Sequence, residues 1–358
     1  MISVCNLLRS AAVLVLLSLV PVRAAIAQEM VEWFGPQDAT ETLVLRSTTD
    51  ISVFGPVVDA FIRARPGLKI RFEQWGSNDL YELTRSECRD ETTGADVVIS
   101  SGVHQMVQLV NEACAVTYSS RFTESLPDAL RWRNELWGIT REPAVIVYNR
   151  DLVPQGEIPQ TRFDLLDLLR PANTPYARTI ATYDIERSGL GYLFAFADAQ
   201  EASTFGALQE SFGRTGAVST CCSADIIRSV ANGRYFIAYN VLGSYAQGYQ
   251  QSDDRIGIIL PSDYTLVLSR ALMIQKEAAN PIAASEFLDF LLSSEGILAL
   301  RAALLISPLL ETEEGAEGEV LSTTALRPIG LSPSLMVALD SLTRQTFLRR
   351  WRETFPGP

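Results

Sequence analysis

The residues of this sequence that could bind a metal or a ligand include the tyrosines of one short segment. Residues 231–249 read ANGRYFIAYNVLGSYAQGY. Tyr239 and Asn240 end a predicted strand, and Tyr245 lies in the first turn of a predicted helix. A phenol donates and accepts hydrogen bonds, whereas an ionised phenolate is a hard anionic ligand that suits ferric iron. Three interpretations stay open at this point: a metal clamp, part of a pocket for an organic ligand, or the aromatic packing of a strand against a helix.

Polar loops follow other predicted strands and precede predicted helices. Residues 46–50 read RSTTD, residues 100–102 read SSG, and Ser188-Gly189 begins a helix after the strand at 177–184. Open α/β sheets bind ligands at the carboxyl ends of their strands, and the free N–H groups of helix starts suit anions. Ordinary helix capping by serine and threonine is the alternative for each loop.

Arginines next to these loops add positive charge. A guanidinium binds a carboxylate or a phosphate through two parallel hydrogen bonds, and Arg46, Arg141 and Arg187 are placed to do so. A surface ion pair is the alternative for each of them. The predicted ligand-binding residues are Thr48, Thr49, Asp50, Ser100, Ser101, Gly102, Arg141, Arg187, Ser188, Gly189, Tyr239, Asn240 and Tyr245.

Sequence patterns of common catalytic sites are missing from the chain. His104 is the only histidine, and neither a G-x-S-x-G nor a G-x-x-x-x-G-K-[ST] segment occurs, which argues against a serine hydrolase and a P-loop ATPase. Asp50, Asp184 and Glu186 offer carboxylates, although helix caps and solvated loops have the same pattern. We therefore expect that the protein is not an enzyme and has neither a cofactor nor a metal site. The alternative is a metal site in which Tyr245 is a ligand.

Composition and the first residues indicate an exported protein. The 358 residues carry a formal net charge of -12, which disfavours a nucleic-acid partner. Arg9, the apolar run at 11–20 and Ala25-Ile26-Ala27 have the order of a signal peptide, so residues 1–27 are predicted to be removed. The apolar run is too short to span a bilayer, and charged residues interrupt 288–305. We expect a periplasmic monomer without a membrane anchor.

Four of the five cysteines follow the predicted signal peptide. An oxidising compartment permits disulfides. Cys88 and Cys114 flank one predicted strand–helix unit, which favours a bond between them. Cys221 and Cys222 are adjacent and leave three alternatives open: a vicinal disulfide, free thiols or the cap of a loop. Their spacing does not match a C-x-x-C metal site.

Strand and helix patterns alternate along the chain. Apolar runs at 42–45, 68–72 and 95–99 are separated by segments of helical periodicity. This alternation predicts a parallel sheet with helices on its faces. Two longer β runs, at 144–149 and 264–275, have no helix directly after them and are predicted to cross between two lobes.

The order of these segments resembles the periplasmic solute-binding proteins of ABC importers, in the class with two crossovers. The resemblance covers nearly the whole mature chain and is carried by VVDAFIRARPGLKIRFEQWGSNDLYEL, GADVVIS, WGITREPAVIVYN, DLLDLL, IATYDIERSGLGYL, VANGRYFIAYN and NPIAASEFLDFLLSSEGILAL. It implies two α/β lobes joined by two β crossovers: lobe 1 at 40–143 and 262–310, lobe 2 at 144–261, and an acidic loop with a C-terminal helix at 311–358. Within the class, the order looks most like the ferric-ion-binding and related organic-anion-binding subgroup.

The resemblance also implies a function. The lobes close around a ligand by a hinge, and a membrane permease recognises the closed state. In the iron-binding relatives, two adjacent tyrosines follow the strand that YFIAYN resembles; here the matching place reads Gly243-Ser244-Tyr245, so one of the two is a serine. We therefore expect a small organic anion, a carboxylate or a phosphorylated compound, to be captured and delivered to an ABC permease. Ferric-iron transport, and ligand sensing for a membrane histidine kinase, are the alternatives.

Overall fold

A computed structural model describes residues 28–201, 204–311 and 325–355 of the chain. The predicted signal peptide at 1–27 lies outside the described residues, and so does most of the predicted acidic loop, at 312–324. No helix within the described ranges has the length and apolar character that crossing a bilayer requires.

The strands of the described chain are β1 (Gln28–Phe34), β2 (Glu41–Ser47), β3 (Leu68–Trp75), β4 (Val97–Ser100), β5 (Arg131–Trp132), β6 (Leu136–Gly138), β7 (Glu142–Asn149), β8 (Ile180–Tyr183), β9 (Val218–Thr220), β10 (Ile237–Leu242), β11 (Ile256–Ile259), β12 (Thr265–Leu268), β13 (Ala271–Ile274) and β14 (Leu326–Pro328).

The α-helices are α1 (Ile51–Ala64), α2 (Ser77–Arg89), α3 (Val103–Asn111), α4 (Arg121–Glu124), α5 (Arg162–Leu169), α6 (Gly189–Glu201), α7 (Thr204–Thr215), α8 (Ser223–Ala231), α9 (Gly243–Gln250), α10 (Pro281–Leu292), α11 (Ser294–Ala302) and α12 (Ser341–Thr354). Short 3-10 helices cover Asp128–Leu130, Gln155–Glu157, Pro308–Leu310 and Pro333–Leu339.

The strands form two sheets, one in each of two lobes. The first has the order β1-β3-β2-β4-β13-β6-β5, and the second has the order β14-β12-β7-β10-β8-β9 with β11 paired to β7. β2 pairs in parallel with both β3 and β4, as the alternation of strand and helix patterns predicts. The predicted fold class, two α/β lobes joined by two β crossovers, is confirmed.

The crossovers are shorter than the sequence indicated; the second lies within the predicted run at 264–275, whereas the first lies before the predicted run at 144–149. Residues 139–141 lead from β6 to β7, and residues 269–270 lead from β12 to β13. The run at 144–149, predicted as a crossover, belongs to β7, an inner strand of the second sheet that is buried along its whole length. A strand buried on both faces reads as one apolar run, so its pattern does not distinguish a crossover from a core strand.

The lobe boundaries also differ from those expected. Residues 265–268, expected in lobe 1, form β12 of the second sheet. β1 pairs with β3 and so extends the first lobe to before residue 40. β14 pairs with β12, and Leu348 and Trp351 of α12 are buried, so the predicted C-terminal segment packs on the second lobe.

The described part of the chain contains two disulfides. Cys88 at the end of α2 is bonded to Cys114 after α3, with their Cα atoms 5.4 Å apart; the sequence favoured this pair. Cys221 and Cys222 are bonded to each other in the turn between β9 and α8. Of the three alternatives left open for this pair, the structure therefore has the vicinal disulfide.

A buried network of charged and aromatic side chains lies inside the second lobe. Asp198 of α6 accepts hydrogen bonds from Tyr239 at 2.5 Å, Tyr264 at 2.7 Å, Asn240 at 2.9 Å and Arg162 at 3.0 Å. The side chains of Asp198 and Arg162 are both fully buried. A buried carboxylate requires several donors, and these residues supply them.

Replacing Asp198 with alanine should strongly destabilise the protein. The change leaves the buried Arg162 guanidinium without its buried carboxylate partner, so the free energy of unfolding should fall by about 3–5 kcal/mol. Urea denaturation of Asp198→Ala measures the effect. The exposed Asp254→Ala serves as the control and should stay within about 0.5 kcal/mol of the wild type. Equal unfolding free energies for the two variants would contradict a structural role for the network.

His104 of α3 is buried, and its ring lies 5.6 Å from that of Tyr192 in α6. Its Nδ1 has no hydrogen-bond partner among the described residues. Burial, together with the charge of Arg344, lowers the pKa of the imidazole from 6.5 to about 3. Between these two pH values the unfolded chain binds a proton that the folded chain does not. The stability that the neutral imidazole contributes is therefore fully present above about pH 6.5 and is lost as the pH falls toward 3.

Removing this imidazole should make the free energy of unfolding less dependent on pH below pH 7. Between pH 7 and pH 4, the free energy of unfolding of the wild type should fall by about 2–3 kcal/mol more than that of His104→Leu. Urea denaturation at both pH values measures the difference. Parallel profiles for the two proteins would mean that the buried imidazole is protonated without penalty.

Candidate functional site

A cavity of about 90 Å³ lies between the two lobes. Several predicted loops meet there: Thr48, Asp50 and Ser101 from the first lobe face Arg187, Ser188 and Tyr245 from the second. The other lining residues are Glu29, Trp75, Gly76, Ser77, Tyr183, Leu190, Cys221, Cys222, Ser223, Ala224, Leu242 and Arg270. The structure thus brings together six of the thirteen predicted ligand-binding residues.

Helix N-termini converge on this cavity. Asp50, Gly76, Ser188, Cys222 and Leu242 directly precede α1, α2, α6, α8 and α9 respectively, and all five line it. The first turn of a helix has backbone N–H groups without an intrahelical partner and the positive end of the helix dipole. The cavity therefore offers an electrostatic environment that favours negative charge, although the protein as a whole is acidic.

The first-lobe wall is held by its own hydroxyl groups. Thr48 Oγ1 accepts a hydrogen bond from the backbone N–H of Ser101 at 2.9 Å and lies 3.1 Å from Ser101 Oγ. Behind this pair, Ser100 Oγ accepts from the N–H of Gly102 at 3.0 Å, and Thr49 hydrogen-bonds with Ser47. Thr49, Ser100 and Gly102 therefore support the wall without lining the cavity.

Arg270, which the sequence analysis missed, is the buried cation of the cavity. It lies in the second crossover and is 1% exposed, and its Nε and Nη2 donate to Glu142 at 2.8 and 3.2 Å. Glu142 also accepts from Thr140 at 2.8 Å and from Ser244 at 2.5 Å. Arg270 is also one of the residues that line the cavity. A charged residue inside the apolar run TLVLSRALMI was the signal for it, since a buried charge requires a partner.

Two of the arginines singled out from the sequence lie elsewhere. Arg141 is exposed outside the cavity, with Nη1 3.5 Å from the carbonyl of Leu310. Arg46 is buried and paired with Glu73 at 2.9 Å and with Glu87 at 2.7 Å. Arg187 does line the cavity, although its side chain is exposed. Loop order along the chain placed these residues near a sheet edge, but side-chain direction decided which of them reach the cavity.

The tyrosines of the 231–249 segment separate into two environments. Tyr239 and Asn240, predicted at the cleft, point into the Asp198 network and do not line the cavity. Tyr245 does line it: its hydroxyl accepts from the N–H of Asp50 at 3.2 Å, and its ring lies 5.9 Å from the Arg270 guanidinium. Burial raises the pKa of the Tyr245 phenol well above its usual value. The neutral phenol is thus the stable form of Tyr245 in this environment.

Carboxylates are also present at the cavity. Burial raises the pKa of Asp50, partly offset by its hydrogen bond from Tyr245 and by the charge of Arg270. Glu29 lines the mouth and accepts a hydrogen bond from Gln74 at 2.9 Å. Among the described residues, no group of three or more histidine, cysteine, aspartate or glutamate side chains is arranged to hold a metal ion. The cavity thus combines cationic donors with carboxylate acceptors.

Hydrogen bonds between the lobes hold the cavity closed. The N–H of Gly189 donates to Ser77 Oγ at 2.8 Å, and Asn78 Nδ2 donates to the carbonyl of Glu186 at 2.9 Å. Gly189 was predicted to contact ligand through its N–H, but in this closed state the group binds the opposite lobe instead. A Cβ atom here would lie 2.7 Å from Gln105 Oε1, so a side chain at this position would require Gln105 to shift.

Comparison with known proteins agrees with this architecture. Residues 93–331 match the family described as bacterial extracellular solute-binding protein. The crystal structure of the substrate-binding protein of an ABC transporter from Agrobacterium tumefaciens is 31% identical, with a TM-score of 0.83, over 91% of this chain and 98% of that one. No curated protein sequence matches the chain.

More distant structures share the fold. Iron-bound HitA from Pseudomonas aeruginosa is 16% identical, with a TM-score of 0.65, over 85% of this chain and 99% of that one. AfuA from Actinobacillus pleuropneumoniae, with exogenous fructose-6-phosphate bound, is 18% identical, with a TM-score of 0.67, over 89% of this chain and 100% of that one. The two-lobed fold, the interlobe cavity and the matched segment together place the chain in the family of bacterial extracellular solute-binding proteins, which bind solutes and are not enzymes.

Proposed function

We propose that this protein is the periplasmic receptor of an ABC importer and that it captures a small organic anion carrying hydroxyl groups, which it delivers to the membrane permease. The Arg270 guanidinium in the cavity is the observation that carries this proposal. It is held rigidly by Glu142, so little side-chain entropy is lost when it binds an anion.

The remainder of the cavity supports a ligand of this class. The N-termini of α1, α2, α6, α8 and α9 favour a carboxylate or phosphate group. Asp50 and Glu29 are acceptors that suit ligand hydroxyl groups, while Thr48, Ser101 and Ser188 offer further hydroxyl partners. A ligand with an anionic end and a hydroxylated end, such as a hydroxy acid or a sugar phosphate, matches both kinds of group.

The size of the cavity is consistent with a hinge mechanism. Binding sites for small molecules commonly enclose about 300–1,000 Å³, more than the 90 Å³ of this closed state. The lobes would therefore open at residues 139–141 and 269–270 to admit a ligand and close less tightly around it. A permease that recognises the ligand-closed state would then receive loaded protein in preference to open protein.

Ferric iron is the second candidate ligand, because Tyr245 lies in the cavity next to Asp50. The neighbour of Tyr245 argues against it, since Ser244 stands where a second tyrosine would and its hydroxyl donates to Glu142. The phenolate that iron requires is also disfavoured by the burial that raises the pKa of Tyr245.

A thermal-shift screen of the mature protein, refolded to remove carried-over ligand, tests the proposal. The probes are citrate, malate, glycerol phosphate, fructose-6-phosphate, inorganic phosphate and ferric citrate. An organic anion at about 100 times its Kd should stabilise the fold by about 2.7 kcal/mol and raise the Tm by a few degrees. A shift with ferric citrate that citrate alone does not reproduce, and none with the other anions, would overturn the organic-anion proposal in favour of iron.

The anchoring role of Arg270 is tested with a double variant. Arg270→Gln with Glu142→Gln removes both charges of the pair, so neither partner is left as a buried unpaired ion. The affinity for the anion found in the screen should fall at least about tenfold, because charged hydrogen bonds are lost. Arg349→Gln, which removes an exposed arginine of α12, is the control and should bind like the wild type. Isothermal titration calorimetry measures both; unchanged affinity in the double variant would rule out Arg270 as the anchor.

A further inference from the structure

The adjacent cysteines Cys221 and Cys222 both line the interlobe cavity, next to Ser223 and Ala224 at the start of α8. We propose that this vicinal disulfide is a thiol–disulfide exchange site for an external dithiol, and that its oxidised form holds the α8 wall in the arrangement that binds ligand. The effect on affinity rests on the function proposed above, whereas the exchange chemistry and the rigidity of the wall do not.

Accessibility distinguishes this disulfide from the other one. Cys222 is exposed and Cys221 is half-buried, whereas Cys114 is fully buried and Cys88 is half-buried under the surface of the first lobe. Thiol–disulfide exchange requires that a thiolate reach one of the two sulfur atoms. An external dithiol therefore reaches the pair in the cavity more readily than the bond between Cys88 and Cys114.

The backbone at Cys222 explains why the bond matters for the wall. Cys222 has a φ of 69°, in the left-handed region that residues other than glycine seldom adopt. Its carbonyl accepts the first hydrogen bond of α8, from the N–H of Ile226 at 3.1 Å. Bonding to Cys221 closes a small ring that restricts this turn. The ring thus fixes where the N-terminus of α8 points.

The neighbouring contacts connect this turn to the cavity. Ser223 Oγ lies 2.5 Å from the hydroxyl of Tyr183, which also lines the cavity. The N–H of Asp184 donates to the carbonyl of Thr220, just before the cysteines, at 2.8 Å. A change of conformation at Cys222 would therefore displace Ser223 and the start of α8 relative to Tyr183.

The external dithiol supplies the two electrons that reduce the disulfide. One thiolate of the dithiol attacks a sulfur of the pair, the bond between Cys221 and Cys222 breaks, and a mixed disulfide forms. The second thiol of the dithiol then attacks that mixed disulfide and releases the protein. Two electrons pass to the protein, two cysteine thiols result, and the dithiol becomes a cyclic disulfide.

Reduction should lower ligand affinity by releasing the turn. If the reduced turn adopts the binding arrangement for about a tenth of the time, the apparent Kd rises about tenfold. Oxidised protein would then bind and reduced protein would release, without a change in any other cavity residue.

The first part of the experiment maps the thiols of the full mature protein. The protein is treated with increasing dithiothreitol, alkylated with N-ethylmaleimide and analysed by peptide mass spectrometry. Cys221 and Cys222 should be unmodified without reductant and should be alkylated at a lower dithiothreitol concentration than Cys88 and Cys114. Alkylation of Cys221 and Cys222 without reductant, or simultaneous alkylation of all four, would overturn the proposal.

The second part measures, without any ligand, how often the first turn of α8 opens. Amide hydrogen exchange at Ile226 should be about tenfold faster in protein reduced only at Cys221 and Cys222, because the first hydrogen bond of α8 opens more often. Cys221→Ser with Cys222→Ser should match the reduced protein. Cys221→Ser with Cys222→Gly should keep more protection, because glycine adopts a positive φ without a steric penalty. Identical exchange in oxidised, reduced and variant proteins would overturn the proposal.

The third part measures the Kd of the anion found in the thermal-shift screen, before and after selective reduction. A rise of about tenfold supports the proposal, and an unchanged Kd overturns its claim on affinity. A screen in which no organic anion binds is a failure of the proposed function alone. In that case the alkylation and exchange measurements still decide whether the disulfide is an exchange site that fixes the wall.

Discussion

The ion pair between Arg270 of the second crossover and Glu142, the residue directly after the first crossover, lies between the two lobes, and the cavity depends on it. Both side chains are almost entirely withdrawn from water, which carries a large desolvation penalty for each charge. Hydrogen bonds from Thr140 and Ser244 to Glu142 offset that penalty, and the N–H of Arg270 donates to Thr140 at 2.9 Å. Glu142 begins β7 of the second lobe and Arg270 directly precedes β13 of the first, so the guanidinium is fixed where the lobes meet.

This arrangement links hinge and ligand site. The crossovers are only a few residues long, so a rotation of the lobes must be absorbed at residues bonded to Arg270 or Glu142. A ligand that binds the guanidinium thus contacts the hinge itself. The C-terminal segment adds a further connection: the N–H of Leu331 donates to the carbonyl of Ala129 in the first lobe, while Tyr192 of the second lobe donates to the carbonyl of Ala338. Opening must accommodate these contacts as well.

The second lobe supplies the rigidity that the site requires. Asp198 gathers hydroxyl, amide and guanidinium donors around one buried carboxylate. Asn240 reaches it from a strand irregularity, with a φ of 61° that asparagine tolerates better than most residues. Tyr239 and Tyr245, six residues apart in sequence, therefore have different roles: one holds the lobe together, and the other faces the cavity.

The sequence alone determined the α/β class, because alternating strand and helix periodicities are local patterns, and the resemblance carried by the order of its segments implied the two lobes. It also located the polar loops after the strands, so Thr48, Asp50, Ser101, Arg187, Ser188 and Tyr245 were predicted at the cavity. Only the tertiary structure decided which buried cation lines the cavity. Arg141 and Arg270 both lie in crossovers, but one points to solvent and the other is buried against Glu142. Local pattern does not encode that choice, since it depends on side-chain direction and on partners far away along the chain.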